Sequence, residues 1–349
     1  MTSKRRWTRF RYLVVVAVFS LALLEILLIA VRRLPALSAV APLRTLAREL
    51  YMLDRRMIQF EPEAARWDRL LGYTLRPGEF VFANTEYRTR YAVNRLGLRD
   101  DEGSLHAPEI VVIGDSFAMG WGVEQQESFP RVLEAMSGRR VLNTAVASWG
   151  TARSLRLLEQ VDLGRARYLV IQFCNNDYFE NLAFSREGPD FAVQSEAGYE
   201  RAVASYHRDR RYFPGRYAAT LVGSRLGLCG EKTSHPDPTD PANQRLQAQL
   251  FLRVLQESRV ELEELQIIVF ELNSYNRHGK LFIPELRKLI DSGDFPEYIR
   301  SMRAVDLAAE LGPELFFCID DHIAAEGHRY LAERLWQIIR EMEEEEAES

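Results

Sequence analysis

Cysteine is scarce in this chain: Cys174, Cys229 and Cys318 are its three thiols in 349 residues. An odd, small number without paired spacing builds neither a disulfide framework nor a zinc site. Cys174 and Cys318 each end an apolar run and read as small buried hydrophobes. Histidine is also rare, with six residues at 106, 207, 235, 278, 322 and 328 and never an H-E-x-x-H arrangement, so no metal is expected. An excess of positive charge is missing as well. The formal net charge is −5, which gives no basic field for a nucleic-acid partner. No internal repeat is found, which sets aside solenoid architectures. Apolar material is plentiful: 47% hydrophobic and 11% aromatic residues suffice for one large core plus an accessory segment.

One long apolar run stands near the N-terminus. Tyr12 to Val31 reads YLVVVAVFSLALLEILLIAV, which as a helix extends roughly 30 Å, the thickness of a bilayer's hydrocarbon core. It reads as a single membrane span. Lys4, Arg5, Arg6, Arg9 and Arg11 precede it and Arg32, Arg33, Arg44 and Arg48 follow, a balance that favours a cytoplasmic N-terminus and an extracytoplasmic (periplasmic) main domain. The rival reading is a cleaved signal peptide ending at Ala39-Val40-Ala41. Against it, Arg32-Arg33 interrupts the approach and Pro42 restricts the backbone beyond. Glu25 sits inside the span, where an ionised carboxylate costs on the order of 3 kcal/mol. It is expected either protonated or in contact with a partner, Arg32 two turns on or another membrane helix.

Beyond the span, Leu34 to Arg69 looks helical and partly amphipathic, a stem lying near the bilayer or packed on the main domain. The following stretch, with Pro77-Gly78, alternating β-prone residues, Asn94 and Gly97, reads as a small β arm. From Glu109 the rhythm changes to apolar runs separated by helical segments: EIVVIG (109–114), RVLNTA (140–145), RYLVIQFC (167–174), LQIIVFEL (265–272) and ELFFCI (314–319). Continuous apolar runs suit strands covered on both faces, and β/α alternation implies a five-stranded parallel sheet in a three-layer α/β/α, flavodoxin-like fold. Residues 178–243 are too long for a plain connection and read as an inserted cap. The expected organisation is a tail and anchor at 1–33, stem and arm at 34–108, the α/β domain at 109–340 and an acidic tail at 341–349.

In an open parallel sheet, ligands bind beyond the carboxyl ends of the strands. Ser116 follows VVIGD, Asn176 and Asp177 follow LVIQFC, and Asp320, Asp321 and His322 follow LFFCI. These residue types suit acyl transfer. A serine hydroxyl needs a neighbouring base, an imidazole serves best near neutrality, and a carboxylate fixes its tautomer. Charge developing on a carbonyl oxygen then needs fixed donors such as an Asn side chain and backbone amides.

The constellation resembles the SGNH, or GDSL, ester hydrolases. GDSF at 114–117 is similar to their first block, CNND at 174–177 to the G-x-N-D block, and DDHIAAEGHRYLAE to the last block; NTAVASWGT at 143–151 resembles the second block, with Ser148 where the oxyanion glycine stands. The resemblance implies Ser116 as nucleophile, His322 as base and Asp320 as orienting acid with Asp321 in reserve. It further implies Asn176 and the amides of Ser116 and Ser148 as oxyanion donors, and no cofactor. It covers about 109–340, with GYTLRPG and VNRLGLRDDE similar to upstream segments of membrane-anchored bacterial members. The implied activity is hydrolysis of an O-acyl ester of a glycan or lipid-linked substrate. An O-acyltransferase acting on a cell-surface polysaccharide and a noncatalytic assembly or glycan-binding protein are the alternatives.

Other residues have plainer readings. Asp115 suits a turn, Asp177 a structural contact, and His328 a surface or partner contact. Arg95 and Arg99 are either solvated or face an anionic substrate. YHRDRRYFPGRY (206–217) is either a sugar or headgroup site or a basic solvated face.

Overall fold

The computed structural model describes residues 2–38, 40–225, 240–274 and 281–348. Cys229, His235 and His278, singled out above, lie outside them, as does 234–239 of the Pro-rich linker. The chain divides into two compact units: Arg56–Val203, His235–Phe317 and Asp321–Ser349 form the larger, and Met1–Arg55, Ala204–Ser234 and Cys318–Asp320 the smaller.

Two antiparallel hairpins open the larger unit, pairing β1 (Ala65–Asp68) with β2 (Gly72–Leu75) and β3 (Gly78–Ala83) with β4 (Arg88–Val93). They account for the expected β arm. A parallel five-stranded sheet follows, built from β5 (Ile110–Ile113), β6 (Val141–Asn143), β7 (Tyr168–Phe173), β8 (Gln266–Glu271) and β9 (Arg303–Val305) in the order β6-β5-β7-β8-β9. This is the doubly wound order, with the first strand, β5, second from the edge and the winding reversing beside it.

Alternation along each strand makes the three layers. Ile110, Val112, Val170, Ile268 and Phe270 join one core with Phe129, Leu133, Leu331 and Leu335 from the helices Phe129–Ser137 and Ala325–Glu348. Val111, Ile113, Ile171, Ile267 and Val269 join the other, with Leu155, Phe251 and Leu286 from Thr151–Leu158, Pro241–Glu257 and Phe282–Ser292. Both faces are covered, so the strands need apolar residues at successive positions.

The sequence reading misplaces one strand. Residues 314–319 are not the fifth strand: Pro313–Leu315 is a 3₁₀ turn, and Phe316 makes only an isolated antiparallel bridge with Ile323. The edge position belongs to Arg303–Val305, whose outer residue Arg303 is exposed. A short edge strand need not be apolar on both faces, so it leaves no continuous run to detect. The acidic tail also differs from expectation. Ala325–Glu348 is one continuous helix, and Glu343 pairs with Arg139 at 2.5 Å and with Arg167 at 3.3 Å.

In the smaller unit the N-terminal segment is helical from Thr2 to Arg33, and its Trp7–Arg33 portion is long and apolar enough to cross a membrane. Helices Ala41–Asp54 and Arg216–Arg225 accompany it, and Leu28, Val31, Ala47, Leu50, Tyr51, Tyr217 and Ala218 form a shared apolar cluster. The stem helix stops at Asp54 instead of running to Arg69. Pro62 could not continue it, and residues from Ala65 are already committed to the first hairpin.

Candidate active site

The site begins where β5 stops. Gly114 adopts φ +153, and a Cβ there would lie 2.6 Å from Gln172 Oε1. That oxygen accepts the Asp115 N–H at 3.0 Å. A side chain at 114 would therefore push β7 away from the turn. Asp115 caps the short helix Ser116–Met119, its Oδ1 accepting from Phe117 N–H at 3.0 Å. Because Asp115 takes the capping role, the Ser116 hydroxyl is left for another partner.

That partner is His322, whose Nε2 stands 2.8 Å from Ser116 Oγ across 206 positions of sequence. Both side chains are nearly inaccessible, with 9% and 5% of their surface exposed. The imidazole stacks on Trp121, ring centroids 5.0 Å apart and 18° between planes, and leans on Phe117 at 4.6 Å. These aromatic contacts fix the ring plane and keep water from one face. Backbone pairing holds the loop from behind, Phe317 N–H donating to His322 O at 3.0 Å beside the Phe316–Ile323 bridge.

His322 Nδ1 faces Asp321 Oδ1 at 3.2 Å, and Asp321 Oδ2 accepts from Ser274 Oγ at 2.6 Å. A carboxylate at Nδ1 draws the ring proton there and leaves the Nε2 lone pair for the serine proton. The sequence reading prefers Asp320 for this position and holds Asp321 in reserve. In the structure Asp320 is fully buried, accepts from the Tyr51 hydroxyl and faces Arg55 at 3.7 Å. Asp321 stands 3.2 Å from the imidazole; Asp320 and Asp321 are both proposed carboxylates for it. Ser274 was not foreseen, although it follows the β8 run and the strand-end rule points to it.

Asn176 precedes the helix Asp177–Glu187, beyond the end of β7. Its Nδ2 donates to Asp115 Oδ2 at 3.0 Å, which brings the amide alongside the residue before Ser116 and leaves its second N–H for an acceptor. Burial pushes the Asp115 carboxyl above the usual carboxylate range, against the lowering effect of the Phe117 N–H bond and the nearby His322. Asp177 faces elsewhere: its Oδ2 accepts from Thr151 N–H at 2.9 Å and Thr151 Oγ1 at 2.5 Å, tying down the start of the neighbouring helix.

Ser148 lies on the loop after β6, and its φ of +63° is the left-handed conformation that glycine adopts without strain. Its Oγ accepts from Gln59 Nε2 at 3.1 Å. The backbone of a glycine is thus retained without a glycine. Ser116, Ser148 and Asn176 therefore follow the ends of three adjacent strands, β5, β6 and β7.

Two other readings are corrected. Arg99 is neither solvated nor turned to a substrate: it is 1% exposed, donates to Val123 O at 2.7 Å and to Gly120 O, and lies over the Tyr91 ring at 3.7 Å. It fixes the chain just beyond the Ser116 helix. His328 is not on the surface. It is fully buried, its Nδ1 accepts Phe129 N–H at 3.2 Å, and burial lowers its pKa to about 3. Arg95 is exposed and pairs with Glu102 at 2.6 Å. Cys174 is buried against Asn273 Oδ1 at 2.9 Å, and burial raises its thiol well above the ordinary range, which makes it inert.

No protein-family model and no curated protein matches the sequence. Among solved structures the chain is similar to TesA, at 15% identity over 65% of this chain and 96% of that one, with a TM-score of 0.37. It is also similar to a structure described as a lipolytic protein of the G-D-S-L family from Desulfitobacterium hafniense DCB-2, at 14% identity over 66% and 98%, with a TM-score of 0.35. At those scores the functional reading rests on the chain's own geometry: a three-layer fold with its sheet in the doubly wound order and its first strand, β5, closed by Gly-Asp-Ser, which is the fold the SGNH resemblance implies.

Proposed function

We propose that the protein is a membrane-anchored serine ester hydrolase of the SGNH type. The observation that carries this reading is the relay from Asp321 through His322 to Ser116, with separations of 3.2 and 2.8 Å. Ser116 Oγ attacks the ester carbonyl as His322 Nε2 takes its proton. The imidazolium so formed is stabilised by Asp321, which Ser274 orients. Asn176, with the backbone N–H groups of Ser116 and Ser148, holds the negative oxygen of the tetrahedral intermediate. First-turn amides of a helix have no intrahelical acceptor, which suits Ser116 N–H to that work. His322 then returns the proton to the leaving alcohol, and water repeats the sequence on the acyl-serine. An O-acyl ester of a glycan or of a lipid-linked compound is the substrate class we assign. The Trp7–Arg33 helix is read as the anchor, with the catalytic unit extracytoplasmic.

The test is hydrolysis of short p-nitrophenyl esters by the full chain, followed by a panel of O-acetylated glycans. Activity that disappears in Ser116→Ala and His322→Gln, with folding retained, is the expected result. Equal activity in those variants would refute the assignment. Transfer of the acyl group to a sugar hydroxyl in preference to water would instead make the enzyme an acyltransferase using the same serine.

A further inference from the structure

The smaller unit contains a feature that ester hydrolysis does not use. Glu25 is 5% exposed although its helix is otherwise bare along most of its apolar length. Its two carboxylate oxygens accept from the backbone N–H groups of Tyr217 and Ala218 at 3.2 and 3.0 Å. The partner of the intramembrane acid is thus the first turn of the chain's own Arg216–Arg225 helix, where a carboxylate complements the helix dipole and satisfies amides that have no other acceptor. Glu25 thereby fixes that helix to the span about two turns, roughly 10 Å, before Arg32.

Beyond this clamp, at the end of the span, lies a cavity of about 350 Å³. Among the described residues that line it are four guanidinium groups, Arg32, Arg33, Arg210 and Arg216, and one carboxylate, Asp54. Asp54 is already engaged by Arg32 Nε at 2.7 Å, by Arg216 and by the Tyr217 hydroxyl. Arg216 is 8% exposed, so the floor of the cavity is built and not a fringe of solvated side chains. Among its described lining residues the cavity carries an excess of positive charge. Planar guanidinium forks match the oxygens of a phosphate better than any other common anion. The cavity stands where the apolar run of the span ends, the level of lipid headgroups, and the exposed Tyr212 that lines it is a residue type that favours this interface.

We propose that this cavity binds the phosphate of an anionic lipid headgroup. The inference rests on the membrane-anchor reading, since a chain cleaved after the apolar run would lack Arg32 and Arg33. Occupation would hold the Arg210–Tyr217 segment of the insert at the membrane surface.

The full-length protein in detergent is titrated with phosphatidic acid, phosphatidylcholine and inorganic phosphate, with bound lipid counted by native mass spectrometry, which also reports the intact chain. Phosphatidic acid is expected to bind preferentially, and Arg33→Gln/Arg210→Gln to weaken it by about ten-fold or more with the melting temperature of the lipid-free protein unchanged. Equal binding of phosphatidylcholine and phosphatidic acid, or undiminished binding by the double variant, would overturn the proposal. If inorganic phosphate binds as tightly as the lipid, the site serves a soluble phosphate and the lipid assignment falls. A mass showing loss of the first 33 residues or more would overturn the anchor reading itself, whereas an intact chain without lipid preference would overturn only the pocket.

Discussion

Two regions of the larger unit each hold a buried imidazole six positions apart in sequence, and they are chemically opposite. In the loop before the last helix, His322 has a carboxylate at Nδ1 and a hydroxyl at Nε2. Within the first turns of that helix, His328 accepts a backbone N–H at Nδ1, and its Nε2 has no described partner. A ring nitrogen that accepts from a backbone amide cannot also carry a proton, so His328 is held neutral. At His322 a carboxylate faces Nδ1 instead, an acceptor where His328 has a donor. The difference teaches that burial alone does not make a histidine reactive; the group facing its second nitrogen decides.

Substitution should separate the regions sharply. His322→Gln is expected to lower kcat by on the order of 10⁴- to 10⁶-fold, while His328→Gln should leave turnover near wild type. Comparable losses in both, measured as initial ester hydrolysis rates, would erase the distinction. Asp321→Asn should cost about 10²- to 10⁴-fold in kcat by releasing the imidazole tautomer. Full activity in that variant, with a collapse in Asp320→Asn at unchanged folding, would return the orienting role to Asp320. Asn176→Ala should reduce kcat by about 10²- to 10³-fold with little change in KM, as loss of one oxyanion donor does.

The His328 side makes its prediction in stability. Its pKa falls from 6.5 to about 3 on folding, so the unfolded chain takes up a proton in this range and the folded chain does not. The neutral form costs nothing above pH 6.5, and stability is lost as pH falls from there toward 3, by up to about 1.4 kcal/mol per pH unit. Urea midpoints across that window should fall less steeply for His328→Gln; an identical slope would contradict the buried neutral assignment. The smallest effect is expected at Ser148, where the left-handed backbone costs on the order of 1 kcal/mol for a residue with a side chain. Ser148→Gly should retain turnover, whereas Ser148→Val should lower the melting temperature.

How much of this was legible beforehand follows from what each residue touches. The interior strands β5, β7 and β8 were readable because both of their faces are covered, and Ser116 and Asn176 became candidates because they stand where those runs stop. β9 escaped notice because an edge strand shows only one apolar face. Asp320 and Asp321 are adjacent and identical in type, so no sequence pattern separates their roles beside His322. Arg99 carries no sequence mark of burial, since its desolvation is offset by carbonyls that the fold brings to it. Glu25 advertised its need of a partner, yet that partner is 192 positions away, a distance no local pattern bridges.

Fluorophosphonate labelling of the folded, full-length protein, with the modified peptide located by mass spectrometry, tests the central claim most directly. The account predicts stoichiometric modification at Ser116 that vanishes in His322→Gln and persists in His328→Gln. Absence of label in the wild-type protein, or label on a different serine, would contradict it.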